Sequence, residues 1–310
     1  MSPLAPIAVF AFNRPQHLER TLEALVACPE ASRSALTIYC DGPRHDADKV
    51  PVQAVRAVAR RASGFRSLDV VASEVNRGLA TSIISGVGEQ LRASDRVVVV
   101  EDDLLVSPYF LRFMNEGLDM YASDDVIASI HGYTYAVTET LPETFFLRGA
   151  DCWGWATWAR AWRHFRSDGT ALLAELRAQR LTHSFDLDGA YPYTRMLEDQ
   201  IAGRNNSWAV RWHASCFLRS MLTLYPCRSL VVNIGHDDSG THSGSTDAFD
   251  VELLRRPVNV RRIALAESPE ATAAVAAYFR RHHGRWRRFA QRIRRLLSRR
   301  AFVAARTDSA

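Results

Sequence analysis

Only five cysteines occur in 310 residues: Cys28, Cys40, Cys152, Cys216 and Cys227. Their number is odd and no two form a C-x-x-C pair. Neither a disulfide framework nor a zinc site is indicated, and a reducing cytosol is the expected setting. No apolar run reaches the length that crosses a bilayer. The N-terminus lacks a basic start, and Ile7 to Phe12 is too short for an apolar export segment, so no signal peptide is expected. No G-x-G-x-x-G fingerprint and no P-loop lysine motif is present. That argues against a dinucleotide oxidoreductase and against a P-loop NTPase. No internal repeat is visible.

What is present is ordinary in bulk and uneven in detail. Apolar residues make up 47% and charged residues 24%, as in a globular protein with a sizeable core. The net charge of +5 hides an asymmetry. Residues 280–300 carry ten arginines and no acid, which leaves 29 basic against 34 acidic residues elsewhere. A mildly acidic body thus carries a strongly basic tail. In that tail Trp286, Phe289, Ile293, Leu296 and Leu297 form one apolar stripe, a basic amphipathic helix suited to an anionic membrane surface. Nucleic acid is the competing partner for such arginines, but the acidic body argues against it.

Along the first 120 residues, strand, polar turn and helix alternate four times. The strands are Ile7 to Phe12, Leu36 to Cys40, Leu68 to Val71 and Arg96 to Val100. Helical spacing joins Leu18, Leu22, Leu25 and Val26, then residues 51–62, then Ile83, Ile84, Val87 and Leu91. This alternation predicts a parallel sheet with helices on both faces. Ligands of such sheets bind beyond the carboxyl ends of the strands. Asn13-Arg14, Asp41-Gly42, Asn76-Arg77-Gly78 and Glu101-Asp102-Asp103 all fall there, so they are expected to converge on one cleft.

The acid triplet is the focus. Four valines before it read as a strand buried on both faces. Ser107-Pro108 after it reads as a helix start, with Ser as N-cap and Pro at the first position. Three adjacent acids repel one another unless a positive group sits among them. A hard divalent cation carrying a phosphate-rich ligand would serve, against the plainer alternative of a solvated acidic turn.

The second half is less regular. Val126 to His131, Thr144 to Leu147 and Leu230 to Ile234 read as strands, and residues 170–181 as a polar helix. Cys152 to Trp158 holds three tryptophans. They read either as a core helix, with Trp158 and Trp162 one turn apart, or, at Trp153-Gly154-Trp155, as an open shelf for a sugar ring. Glu198-Asp199 is a second acid pair, either a surface salt-bridging turn or part of a site. Residues 235–244 form a Gly-rich polar loop in which His242 is either solvated or a metal ligand. The chain is expected to be helical from Ala271 on.

Taken in order, these pieces resemble the glycosyltransferases of the GT-A fold in the broad family-2 style, over roughly residues 5–245. Glu101-Asp102-Asp103-Leu104 with Val106-Ser107-Pro108-Tyr109-Phe110, then Trp153-Gly154-Trp155, then Glu198-Asp199, is also similar to the enzymes that add N-acetylglucosamine to N-glycan mannose. The resemblance implies a mainly parallel central sheet flanked by helices. Residues 1–125 would be the nucleotide-sugar half, 126–250 the acceptor half of the same domain, and 251–310 a helical basic tail.

It also implies site roles. Phe12, Asn13 and Arg14 would border the base and ribose, and Asp41 would contact the base. Asn76 and Arg77 would lie beside the ribose or diphosphate. Glu101 and Asp102 would hold the donor sugar or ribose, and Trp153, Gly154 and Trp155 would line the substrate. Asp103, and His242 late in the chain, would bind manganese or magnesium. Asp199 would be the base beside Glu198. Position 101 is Glu where the commoner motif has Asp, which leaves open which acid meets the metal. Trp208 to Trp212 only partly echoes Q-x-x-R-W, which argues against a processive synthase.

The implied reaction is inverting transfer of a sugar from a nucleotide-sugar donor, UDP-linked by expectation, to a hydroxyl of a glycan or lipid-linked acceptor in bacterial surface polysaccharide synthesis. The implied location is cytoplasmic, peripheral on the inner face of the cell membrane, with no nucleic-acid partner. Should Asp199 not be the base, Glu198 or Asp151 would be. Three alternatives compete. One is a sugar-phosphate nucleotidyltransferase. Another is a metal-dependent hydrolase using His236, Asp237, Asp238 and His242 with the triplet. The third is a non-catalytic membrane-surface protein.

Overall fold

The computed structural model describes residues 3–235 and 249–282. In the first half, β1 (Ile7–Ala11), β2 (Ala35–Cys40), β3 (Ser67–Ala72) and β4 (Arg96–Glu101) alternate with α1 (Pro15–Val26), α2 (Lys49–Arg61) and α3 (Leu79–Ala93). Pro15 presets the first helical φ of α1, and Leu18, Thr21, Leu22 and Leu25 form its buried face. β1 lies between β2 and β4 and parallel to both, with Ile7 opposite Leu36 and Val98. β3 extends the same parallel set from β2. Val97 to Val100 are wholly buried, as a strand covered on both faces requires.

The second half continues with β5 (Leu104–Val106), α4 (Phe110–Met120), β6 (Ile127–His131), β7 (Thr144–Arg148) and β8 (Trp155–Trp158). Then follow α5 (Ala159–Trp162), α6 (Gly169–Ala178), α7 (Thr182–Phe185), α8 (Tyr193–Ile201), α9 (Trp208–Leu218), β9 (Leu222–Pro226) and β10 (Val231–Asn233). One eight-stranded sheet runs β3-β2-β1-β4-β8-β6-β9-β7. The fold is therefore mixed α/β, a large central sheet flanked by helices. Its first four strands are parallel; β8 is inserted antiparallel to both β4 and β6, and β7 closes the far edge antiparallel to β9. The segment helical at 269–282 packs Ala271, Val275, Tyr278 and Phe279 into a small core with Phe145, Leu147 and Tyr225 at that edge.

Two local expectations are corrected. The helix after the acid triplet starts at Phe110, not at Ser107-Pro108. The chain first forms β5, which pairs antiparallel with β10. The Ser107 hydroxyl donates to the Leu254 carbonyl at 2.5 Å and accepts the Tyr109 N–H at 3.3 Å, three residues ahead of the helix. The tryptophan-rich segment is not a core helix throughout, since Trp155–Trp158 is strand β8 and only then does α5 begin. The branch point is Gly154, at φ +66, where an added Cβ would also press on Val231 and Phe110.

No helix among the described residues is long and apolar enough to cross a membrane. The expected basic tail from residue 283 on and the expected metal ligand His242 both lie outside the described residues.

Candidate functional site

The exits of β1 and β4 are adjacent because the two strands pair, and this places Phe12 and Arg14 against the acid triplet. The Asp102 N–H donates to the Phe10 carbonyl at 3.0 Å, which extends the ladder by one residue. The Phe12 N–H then donates to Asp102 Oδ2 at 3.3 Å. Thr21 on α1 donates its hydroxyl to the Asp102 carbonyl at 2.7 Å. Arg14 Nη2 bridges Asp102 Oδ1 and Asp103 Oδ2, the latter at 2.9 Å. The guanidinium is the positive group that three adjacent acids demand.

The charge balance is nevertheless incomplete. Burial pushes the Asp102 carboxyl up to about 6; Arg14 opposes the shift and Asp103 adds to it. Glu101 is driven well above the ordinary carboxylate range, by burial first and then by the charges of Asp103 and Asp102. Burial disfavours the charge on Arg14, but Asp102 and Asp103 outweigh it and hold the guanidinium charged. Asp103 Oδ1 is buried and, among the described residues, has no hydrogen-bond partner. A buried acceptor left so costs about 1–3 kcal/mol, more when charged.

That orphan oxygen fits a divalent cation. Among the described residues no three ligating side chains converge on a metal position. Magnesium commonly keeps several waters and is held by one or two carboxylates together with bound phosphate oxygens.

The next strand exit is occupied differently. Asp41 Oδ1 accepts the N–H of Gly42 and of Arg77, both at 2.8 Å. Its Oδ2 accepts Asn76 Nδ2 at 3.0 Å and the Gly78 N–H at 2.9 Å. Four donors fill the four lone-pair directions of a carboxylate. Asp41 thus clasps the 76–78 loop, and the base contact expected of its side chain is displaced by these bonds. Asn76 also donates to the Gly42 carbonyl at 2.8 Å, which leaves Arg77 with an exposed side chain above the clasp. Asn13 donates to Asp48 Oδ1 at 3.0 Å, and the Arg44 guanidinium lies 4.6 Å over the Phe12 ring.

The structure brings Phe12, Arg14, Asp102 and Asp103 together, with Asn13 beside them and the Asp41–Asn76–Arg77 clasp at the neighbouring exit. It does not bring Glu198 and Asp199 to them. Both lie within α8, where Asp199 accepts two bonds from Arg204 and Glu198 pairs with Arg177 at 2.7 Å, all partly exposed. The surface-pair alternative describes them. The shelf expected at Trp153-Gly154-Trp155 is also absent. Trp155 is fully buried and stacks on Trp208 at 5.4 Å, whereas Trp153 is partly exposed and meets Tyr133 edge-on at 4.9 Å. Trp153 precedes β8, and Gly154 at φ +66 turns the chain between the two indoles. Gly154 is packed against Val231 and Phe110 rather than open.

Asp151, named from the sequence only as an alternative base, sits in a second feature at the same sheet edge whose tyrosines sequence reasoning passed over. Asp151 leads into β8 and accepts the Tyr135 hydroxyl at 3.0 Å and the Cys152 N–H at 2.9 Å. Tyrosines surround it. Burial, then the Asp151 charge, hold Tyr135, Tyr193 and Tyr225 well above the usual phenol range and Tyr191 up to about 12. The available signal was a Tyr-x-Tyr repeat, Tyr133-Thr134-Tyr135 and Tyr191-Pro192-Tyr193. Behind this group His131 accepts the Trp153 N–H on Nε2 at 3.1 Å, and its Nδ1 meets the Tyr133 carbonyl at 2.9 Å. Burial lowers its pKa, so it is a neutral fastener of the 131–153 loops.

No family model matches the chain. Among solved structures, a mannose-1-phosphate geranyltransferase from Thermus thermophilus shares 17% identity over 75% of this chain and 77% of its own, with a TM-score of 0.34. Glucosyl-3-phosphoglycerate synthase from Mycobacterium tuberculosis, in complex with Mn2+, uridine-diphosphate and glucosyl-3-phosphoglycerate, shares 12% over 74% and 72%, with a TM-score of 0.35. S. aureus TarS shares 12% over 47% of this chain and 24% of its own, with a TM-score of 0.31. None of these values is high enough to transfer an activity.

Proposed function

We propose that the chain is a GT-A-type glycosyltransferase. It moves a hexosyl or N-acetylhexosaminyl group from a nucleoside-diphosphate sugar, UDP-linked, to a hydroxyl of a glycan or lipid-linked acceptor, with inversion. The observation that carries this reading is the orphan Asp103 Oδ1 beside Arg14 at the carboxyl edge of the parallel strands. A buried anionic oxygen with an open valence, where α/β sheets bind ligands, suits a cation-borne diphosphate.

In this reading manganese or magnesium at Asp103 supplies Lewis-acid neutralisation of the departing diphosphate. The rest is the work of the chain. Phe12 and Asn13 border the nucleoside, and the Asp41 clasp holds Asn76 and Gly78 so that Arg77 can face the ribose or diphosphate. Arg14 keeps Asp102 and Asp103 apart in charge and fixed in direction. An acceptor-side carboxylate takes the hydroxyl proton, a contribution of about 10²–10⁴-fold. Attack from the face opposite the leaving group gives inversion. The arginines of residues 280–300 support, from sequence, a peripheral seat on an anionic inner membrane face.

The first test is calorimetric titration with UDP and a panel of nucleotide sugars, with and without manganese. Manganese-dependent binding is expected, and Asp103→Ala should remove it. Unchanged titration by that variant would overturn the reading. Pyrophosphate release from a nucleoside triphosphate plus sugar phosphate would favour the nucleotidyltransferase instead. Deletion of residues 283–310 should weaken co-sedimentation with phosphatidylglycerol vesicles; unaltered sedimentation removes the membrane partner.

A further inference from the structure

We infer that the recess lined by Tyr135, Trp153, Tyr191 and Tyr193 receives a pyranose ring of the acceptor, and that Asp151 at its floor is the base. The inference rests on the glycosyltransfer reading above and names its acceptor side.

The topology puts the recess next to the acids. β8 runs antiparallel to β4 with Trp155 opposite Val99. The residues leading into β8 therefore lie at the end of the sheet where β4 delivers Glu101 to Asp103. The Cys152 thiol reports the same proximity. It is pushed well up by burial, then by Asp151, and then by Glu101. One side chain feels both carboxylate groups. Gly132 and Gly154 tie the neighbouring exits together through an N–H to carbonyl bond of 2.7 Å.

The walls are suited to a sugar. Asp151, Trp153, Tyr135, Tyr191 and Tyr193 are each partly exposed, as groups that meet a ligand should be. Tyr191 and Tyr193 lie 4.5 Å apart, and Phe279 backs Tyr191 at 4.4 Å and Tyr135 at 4.7 Å. Aromatic bodies with polar tips bind the C–H faces of a pyranose and hydrogen-bond its hydroxyls.

The floor is suited to proton removal. Asp151 receives one neutral hydroxyl and one backbone N–H, one on each oxygen. Among the described residues no Arg or Lys forms an ion pair with it. Each oxygen keeps a lone-pair direction for an acceptor hydroxyl. Asp199 and Glu198, by contrast, are engaged by arginines. In the step, the acceptor oxygen bonds to the anomeric carbon as the bond from that carbon to the phosphate oxygen breaks. The bonding pair leaves with the diphosphate, and the hydroxyl proton passes to Asp151.

The test uses the full chain with manganese and UDP-glucose, and a panel of methyl pyranosides as acceptor probes. Trp153 fluorescence should respond saturably to at least one pyranoside. Asp151→Asn should keep nucleotide and pyranoside binding but lower pyranoside-dependent UDP release by about 10²-fold or more. Asp199→Asn should stay within about threefold of wild type. Tyr135→Phe, which removes one bond to Asp151 without emptying the wall, should fall between them, and unchanged thermal unfolding of all three would show intact folding. Normal turnover by Asp151→Asn, or loss of turnover by Asp199→Asn alone, overturns the inference and leaves the donor reading standing. So does an absence of any pyranoside response in a chain that binds UDP. Failure of the wild-type chain to bind any nucleotide overturns both.

Discussion

The two sides of the sheet edge solve opposite problems. On the side of β1, β2 and β4, charge is dense and is managed by directed donors. Asp41 takes four, and Asp102 takes Arg14 and the Phe12 N–H. On the side of β6 and β8, a single acid stands among rings with one phenol and one N–H to hold it. The first arrangement is tied by directed bonds and, among the described residues, leaves Asp103 Oδ1 buried without a partner. The second is a surface with unused hydrogen-bonding capacity. The proposed reading, a fixed anchor for phosphate and an adaptable wall for a sugar, would call for this difference.

The comparison can be broken in several ways. The largest effect should come from Trp155→Ala, which empties a fully buried indole among Trp162, Trp208 and Trp212 and should cost about 3–5 kcal/mol in denaturant unfolding. Trp153→Ala, two residues away, should cost about 1 kcal/mol and weaken pyranoside binding instead. Equal losses from the two would mean that both indoles are core.

Asp41→Ala should follow at about 3 kcal/mol, because it strands the N–H groups of Gly42, Arg77 and Gly78 at once. For a chain of this size that is a fall of about 4–5 °C in Tm by calorimetry. A change below about 2 °C would mean that the loop closes without its clasp.

Next comes a dependence on pH. The Asp102 carboxyl is raised to about 6 in the folded chain, by burial and by Asp103 against the pull of Arg14. The folded state therefore binds this proton more tightly than the unfolded state, whose value is about 3.9. Its contribution to stability is fully present below about pH 4 and is lost as pH rises through 6. Relative to Asp102→Asn, wild type should lose about 2 kcal/mol of unfolding free energy between pH 4 and 7. A flat difference would show that Arg14 compensates the charge completely. Smallest of all, Arg204→Ala should shift stability by less than about 1 kcal/mol, as expected for an exposed pair with Asp199.

The parallel half was legible because its information is local. Each strand, turn and helix is written within about thirty residues, and buried valines or leucines at the right period leave little choice. The errors share a different cause. Helix α4 starts late because β5 finds its partner β10 more than a hundred residues on. Trp155 became a strand residue because β8 fills the space between β4 and β6, which no local pattern announces. Asp199 is a case of the reverse kind. Its partner Arg204 is five residues away, and the surface-pair alternative was visible from the start. Asp151 acquires meaning only when Tyr135, sixteen residues earlier, and the helix at 269–282, more than a hundred residues later, close around it.

The ribbon of β5 and β10 has one more outcome. Ile234 donates its N–H to the Asp103 carbonyl at 2.8 Å, and a Cβ on Gly235 would collide with Asp103 Oδ2. The backbone of residues 234 and 235 is thus bonded to the Asp103 main chain and packed against its side chain. Gly235→Ala should therefore behave as a remote lesion of Asp103: the introduced methyl would tilt that carboxylate, and manganese titration would register the tilt before any change in melting did.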